Sequence, residues 1–230
     1  MLVEPPEDAE RLALDRAVIA AARERLAAGP RGSADADAIA LRALLRDIPA
    51  AERSAVRALL GRIEAATGPA LATCGPLSQA LAADRWGLIG RPVAEPDQAL
   101  AAARQGLERG GRALIDLGLR PWWGKLLALP MLKVIAALPD DAAGVPRALL
   151  VSTEAPGPTG DDRTFWVTDS PASDARIVAA LGEAGLIAGP LAAGGGLKLF
   201  VLTGYVQAED GRLTNAPGQM SGVIGAAPVY

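Results

Sequence analysis

Histidine is absent from the 230-residue chain, and cysteine occurs once, at Cys74. Without them, no Ser-His-Asp triad, Cys-His dyad, histidine-based zinc site or disulfide framework can be built within one chain. Aromatic residues make up only 3% of the sequence, and lysine is confined to Lys125, Lys133 and Lys198. The formal charge of −3 and a pI of about 5.1 leave no global basic field to attract nucleic acid. Long apolar runs are also missing. The most lipid-like stretch, 122–138, carries Lys125, Pro130 and Lys133 and falls short of the ~20 apolar residues that a spanning helix needs. The first ten residues, MLVEPPEDAE, have neither the basic start nor the apolar run of a secretory signal. A cytoplasmic protein with no membrane and no nucleic-acid partner is the expectation.

What is present is an ordinary globular balance, 50% hydrophobic and 21% charged. A chain of this length sets a prior of one or two domains and needs neither a disulfide nor a metal to hold a core. Its cations are nearly all arginine, the side chain that binds carboxylates bidentately.

Apolar spacing predicts three helices at the start of the chain. The first covers 7–28 and is stopped by Gly29-Pro30-Arg31-Gly32. The second is capped by Ser33 or Asp35, and the third is opened by Pro49 and carries Val56, Leu59, Leu60 and Ile63 on one face. The weaker segment 71–83 adds another turn or two of helix. Helices so rich in alanine enclose little core alone and must pack on the rest of the chain or on a second copy. Beyond residue 86 the pattern alternates. Strands are expected at 86–90, 112–117, 132–138, 147–152, 163–168, 197–205 and 222–226, with helices over 96–109 and 174–184. Ser170 or Ser173 caps the last helix. Gly194-Gly195-Gly196 lies between strands without the spacing of a phosphate cradle and reads as a hairpin. Trp122-Trp123 reads as core filling, Asp161-Asp162 as a turn, and Cys74 as a small buried hydrophobe with no base to activate it. The arginines of the first three helices read mainly as solvated faces with i,i+4 partners such as Glu24 and Glu64. The alternative is a cationic pocket between helices for a small di-acid.

Several segments together resemble a known family. They are Leu14-Asp15 to Arg25-Leu26, the run ending Leu41-Arg-Ala-Leu-Leu, Ala65-Ala-Thr-Gly-Pro, Trp122-Trp123 with 132–139, and Pro158-Thr-Gly-Asp-Asp-Arg-Thr. The chain is similar to the all-helical class of chorismate mutase, followed by a prephenate dehydratase-like part of alphaproteobacterial type. The segments 163–169, 197–205 and 223–228 resemble an ACT-type regulatory module. The resemblance implies an α+β fold: a helical chorismate mutase-like domain over 1–84, an α/β lobe over 85–157 and a small ACT-like α/β sandwich over 158–230.

It also implies rearrangement of the dicarboxylate chorismate to prephenate in aromatic amino acid biosynthesis, by a homodimer. That unimolecular reaction needs no nucleophile or cofactor, only conformer selection and donors to a developing negative charge. Carried over by position, Arg25, Asp37 and Thr67 take the catalytic places, and Arg11 and Arg31 the substrate-binding ones, with no metal. The pattern is depleted: Arg31 stands for a lysine, Ala36-Asp37 for an Arg-Glu pair and Thr67 for a glutamine. The alternative the resemblance leaves is a non-catalytic relative that binds an aromatic metabolite or a partner enzyme.

Overall fold

The computed structural model describes residues 9–27, 34–46, 48, 50–105 and 111–230. Three helices come first: α1 (Ala9–Ala27), α2 (Ala34–Leu45) and α3 (Ala50–Thr67). A short β/α unit follows, with β1 (Leu71–Cys74), α4 (Pro76–Trp86), β2 (Arg91–Val93), α5 (Pro96–Gln105) and β3 (Arg112–Asp116). Its three strands are parallel, with β1 between β2 and β3. This arrangement sends the two connecting helices to opposite faces of the sheet. A 3-10 segment over Trp122–Ala128 leads to β4 (Lys133–Leu138) and β5 (Ala148–Ser152). The remaining elements are β6 (Asp162–Thr168), α6 (Asp174–Glu183), β7 (Ala188–Gly194), β8 (Leu197–Thr203) and β9 (Ser221–Pro228).

The nine strands of the described residues belong to one mixed sheet, in the order β2-β1-β3-β5-β4-β9-β6-β8-β7. This corrects the expected α+β division into a helical domain, an α/β lobe and a separate ACT-like sandwich. The closing strand β9 is the reason. It pairs antiparallel with β6 on one side and runs parallel to β4 on the other, where Val134 faces Gly225. Gly225 has φ +144°, and a Cβ there would collide with the backbone of Val134. Only glycine lets the two halves of the sheet close at that junction. The N-terminal helices likewise do not stand apart. Gly61 of α3 lies so close to the carbonyl of Arg85 in α4 that any side chain would overlap it.

Side chains alternate across the strands, so each strand supplies two faces. On the first face one core runs from β1 to β8. It includes Ala113 and Ile115 of β3, Leu149 and Val151 of β5, Phe165 of β6 and Leu199 of β8. Helix α5 and the buried Trp122-Trp123 pair cover it, as core filling predicts. On the second face the core is split. Leu114, Ile135, Leu138 and Leu150 pack with Ala82 and Trp86 of α4. Trp166, Phe200 and Leu202 pack with Ile177 and Leu181 of α6. The capping hydroxyl is that of Ser173, which accepts from the Arg176 amide at 3.4 Å. Gly195 and Gly196 form the turn of the β7–β8 hairpin. Among the described residues no helix is long and apolar enough to cross a membrane.

Candidate ligand cavity

The gap between the two cores of the second face lies over the middle strands. Helix α4 covers the β1–β3 end and reaches Leu150 and Ile135, and α6 covers the β6–β8 end, so the rest of β5, β4 and β9 depends on the N-terminal helices for cover. That cover is incomplete. A cavity of about 370 Å³ remains, walled by Leu41 and Leu44 of α2, Leu60 of α3, and Ile135, Leu138 and Leu150 of the sheet. A bulge in β4, where the register with β5 slips between Val134 and Ala136, turns the consecutive residues Ile135 and Ala136 toward the cavity.

Helix α2 is fastened over this space by long-range hydrogen bonds. The Arg42 guanidinium donates to the Thr159 hydroxyl (3.0 Å), the Asp161 carbonyl (2.8 Å) and the Val229 carbonyl (2.9 Å). Two turns earlier, the Asp35 carboxylate accepts the Gly157 amide at 2.7 Å. Partial burial raises the pKa of that carboxyl from its ordinary value, against the lowering effect of the Gly157 bond.

An ionic cluster closes the cavity beneath α3. Arg57 and Glu64 are seven residues apart on α3 and share its sheet-facing side. Asp140, buried just past the end of β4, accepts Arg85 Nε at 2.9 Å and pairs with Arg57. The Glu64 carboxylate accepts Arg112 Nη1 at 2.8 Å and the Trp86 indole N–H at 3.2 Å, with Arg85 Nη2 3.8 Å away. Burial, reinforced by the charge of Arg85, lowers the pKa of Arg57. Tyr230 completes the wall, with the guanidinium carbons of Arg42 and Arg57 5.9 and 5.6 Å from its ring centroid. Its phenol is pushed up to about 12, chiefly by burial. Arg42 and Arg57, expected on solvated faces, thus serve here as half-buried donors with partners on other elements.

The positions singled out from the sequence fall differently. Asp37 of α2 is half-buried and lines the cavity. Arg11 is exposed on α1. The side chains of Arg25 and Thr67 and the whole of Arg31 lie outside the described residues. Sequence reasoning missed Arg85, Arg112, Asp140 and Tyr230. The one signal was a charged residue, Arg112, heading a strand whose three middle residues are apolar.

The cavity's chemistry is set by what lines it. Its described walls offer apolar surface, guanidiniums, carboxylates, an indole and a phenol. Among the described residues no group of three or more Cys, Asp or Glu is placed to hold a metal ion. Cys74 is buried at the end of β1, away from the cavity lining, and burial raises its thiol pKa, which favours the protonated form.

No family model matches the chain, and no curated protein matches it. A solved structure described as GqqA, a novel type of quorum quenching acylase, is similar over 70% of this chain and 95% of that one, at 18% identity and a TM-score of 0.47. Neither chorismate mutase nor prephenate dehydratase is found. The family resemblance, the expected rearrangement of chorismate to prephenate and the place in aromatic amino acid biosynthesis are therefore withdrawn. The fold agrees with that correction, because the segments that carried the likeness are parts of one continuous sheet and the helices that cover it.

Proposed function

We propose that the protein binds a small, largely apolar molecule in the cavity between α2, α3 and the middle strands of the sheet. The observation that carries this reading is the cavity itself. Its volume of about 370 Å³ lies in the range of small-molecule sites. Its walls are mainly aliphatic, with a few charged groups fixed at one end by mutual pairing, and such groups orient a ligand while apolar burial supplies most of the affinity.

The test is a titration with the neutral dye N-phenyl-1-naphthylamine, which fluoresces in apolar surroundings. The wild-type chain should give a saturable, one-to-one rise in fluorescence. Leu44→Trp, which fills the cavity from α2, should remove that rise while the circular dichroism spectrum stays the same. No saturable signal from folded wild type, or an equal signal from both proteins, would refute the reading.

A further inference from the structure

We infer that the cavity's ligand carries a neutral hydrogen-bond acceptor of the carbonyl kind, a ketone, ester or amide, on its apolar body, and that the Tyr230 hydroxyl donates to it. This rests on the reading of the cavity as a ligand site.

The charged groups at the polar end of the cavity are occupied with one another. Asp140 is shared by Arg57 and Arg85, and Glu64 accepts from Arg112 and the Trp86 indole. Across the whole lining, the four carboxylates of Glu24, Asp37, Glu64 and Asp140 stand against the two guanidiniums of Arg85 and Arg112. That balance disfavours a carboxylate on the ligand. An ammonium is disfavoured at Tyr230, whose phenol is faced by Arg42, Arg57 and Arg85 and by one carboxylate, Glu64. A neutral polar group escapes both costs.

The Tyr230 hydroxyl is the group left without a bond to make. Among the described residues it neither donates nor accepts a hydrogen bond. The side-chain atoms that are both partnerless and sealed from solvent are the Nε atoms of Arg57 and Arg112 and Oγ1 of Thr73. The Tyr230 oxygen is not one of them, and Arg85 and Glu64, which face it, line the same cavity. The hydroxyl is therefore within reach of a ligand.

It is also held in place. The Tyr230 amide donates to the Asp140 carbonyl at 2.9 Å, and its own carbonyl accepts from the Ala142 amide at 3.2 Å. Arg42 and Arg57 lie over the ring. Burial keeps the phenol protonated through the neutral range, so it offers a proton rather than a charge. A fixed donor loses little freedom when it takes up an acceptor, and that acceptor replaces only water.

Two probes of one shape test this on the full chain: 2-acetylnaphthalene, which has the carbonyl, and 2-isopropenylnaphthalene, in which a methylene group replaces the oxygen. Each competes with bound N-phenyl-1-naphthylamine, and 2-naphthoate supplies a carboxylate of similar size. Tyr230→Phe keeps the ring beneath the two arginines and loses only the hydroxyl. It should weaken the ketone about fivefold, the worth of one neutral hydrogen bond, and leave the hydrocarbon unchanged. In wild type labelled at tyrosine Cζ, the ketone should move the Tyr230 signal and the hydrocarbon should move it much less. This second readout needs no variant. An equal change for ketone and hydrocarbon in Tyr230→Phe, no change for either, equal Cζ shifts, or 2-naphthoate as the best competitor would overturn the carbonyl inference. Each of these leaves the cavity reading standing, because the dye would still bind. Absence of saturable dye binding to the wild type would remove both.

Discussion

The two faces of the sheet are built from the same strands, yet one is closed and the other is not. Leu149 and Leu150 are neighbours in β5 and are both buried. Leu149 points into the continuous core beneath α5 and the tryptophan pair, whereas Leu150 points into the cavity. The difference lies in the covering elements. The first face is closed by large side chains, Trp122, Trp123 and Leu126, carried on a segment that lies flat on the sheet. The second face is closed over its middle strands by α2 and α3, whose sequences, ADADAIALRALL and AAERSAVRALLGRIEAAT, are dominated by alanine. Small side chains at a layer contact leave space, and the arginines and acids of α3, α4 and β3 line part of what remains. A helical layer tethered by polar contacts over a sheet favours a ligand cavity, while a layer of tryptophan and leucine favours rigidity.

Truncation should separate the faces most sharply. Trp123→Ala removes a fully buried side chain from the closed core and should cost roughly 3–5 kcal/mol in a urea unfolding titration. The half-buried, cavity-lining Leu60→Ala should cost only about 1 kcal/mol, because the space it would open already exists. Equal costs would mean that the cavity is absent in solution.

Asp140→Ala tests the polar end of the cavity. It leaves Arg57 and Arg85 buried without their shared carboxylate and should destabilise the protein by about 3 kcal/mol, read from the same titration. A loss below about 1 kcal/mol would place the cluster in water.

The smallest effect concerns Tyr230. Its phenol is shielded by burial and faced by Arg42, Arg57, Arg85 and Glu64, with a pKa of about 12 against an ordinary value of 10. A group whose pKa is raised on folding contributes stability that is complete below the unfolded pKa and is lost as pH rises through the folded one. Thermal melts should show the wild type losing stability between pH 10 and 12 more steeply than Tyr230→Phe. Parallel pH profiles for the two proteins would mean that the phenol is exposed.

Many individual elements were legible along the chain, but their union in one sheet was not. The three N-terminal helices follow from apolar spacing and their Gly-Pro stops, and the strands from β3 to β6 with β8 and β9 from short apolar runs between turns. Other elements were not. Strand β1 reads as helix because a short parallel strand with three successive buried residues shows no alternation, and the helix proper begins only at Pro76. Residues 86–90, read as a strand, are the end of α4 and the turn after it, and β2 starts at Arg91. Strand β7, AGPLAAG, has no β-branched or aromatic residue and is held by pairing with β8 rather than by its own propensity. The candidate site was largely hidden. Arg85 meets Asp140 across 55 residues and Arg112 meets Glu64 across 48, contacts that no local spacing encodes. Asp37 was singled out and lies at the cavity, but the donors that define its polar end are supplied by tertiary structure.

The most direct measurement is methyl NMR of the full chain as N-phenyl-1-naphthylamine is added. The cavity account predicts saturable shifts at the methyls of Ile135, Leu138 and Leu150, with Leu149 and Val151 on the opposite face unmoved. Shifts of equal size at Leu149 and Leu150, or none at either, would contradict it.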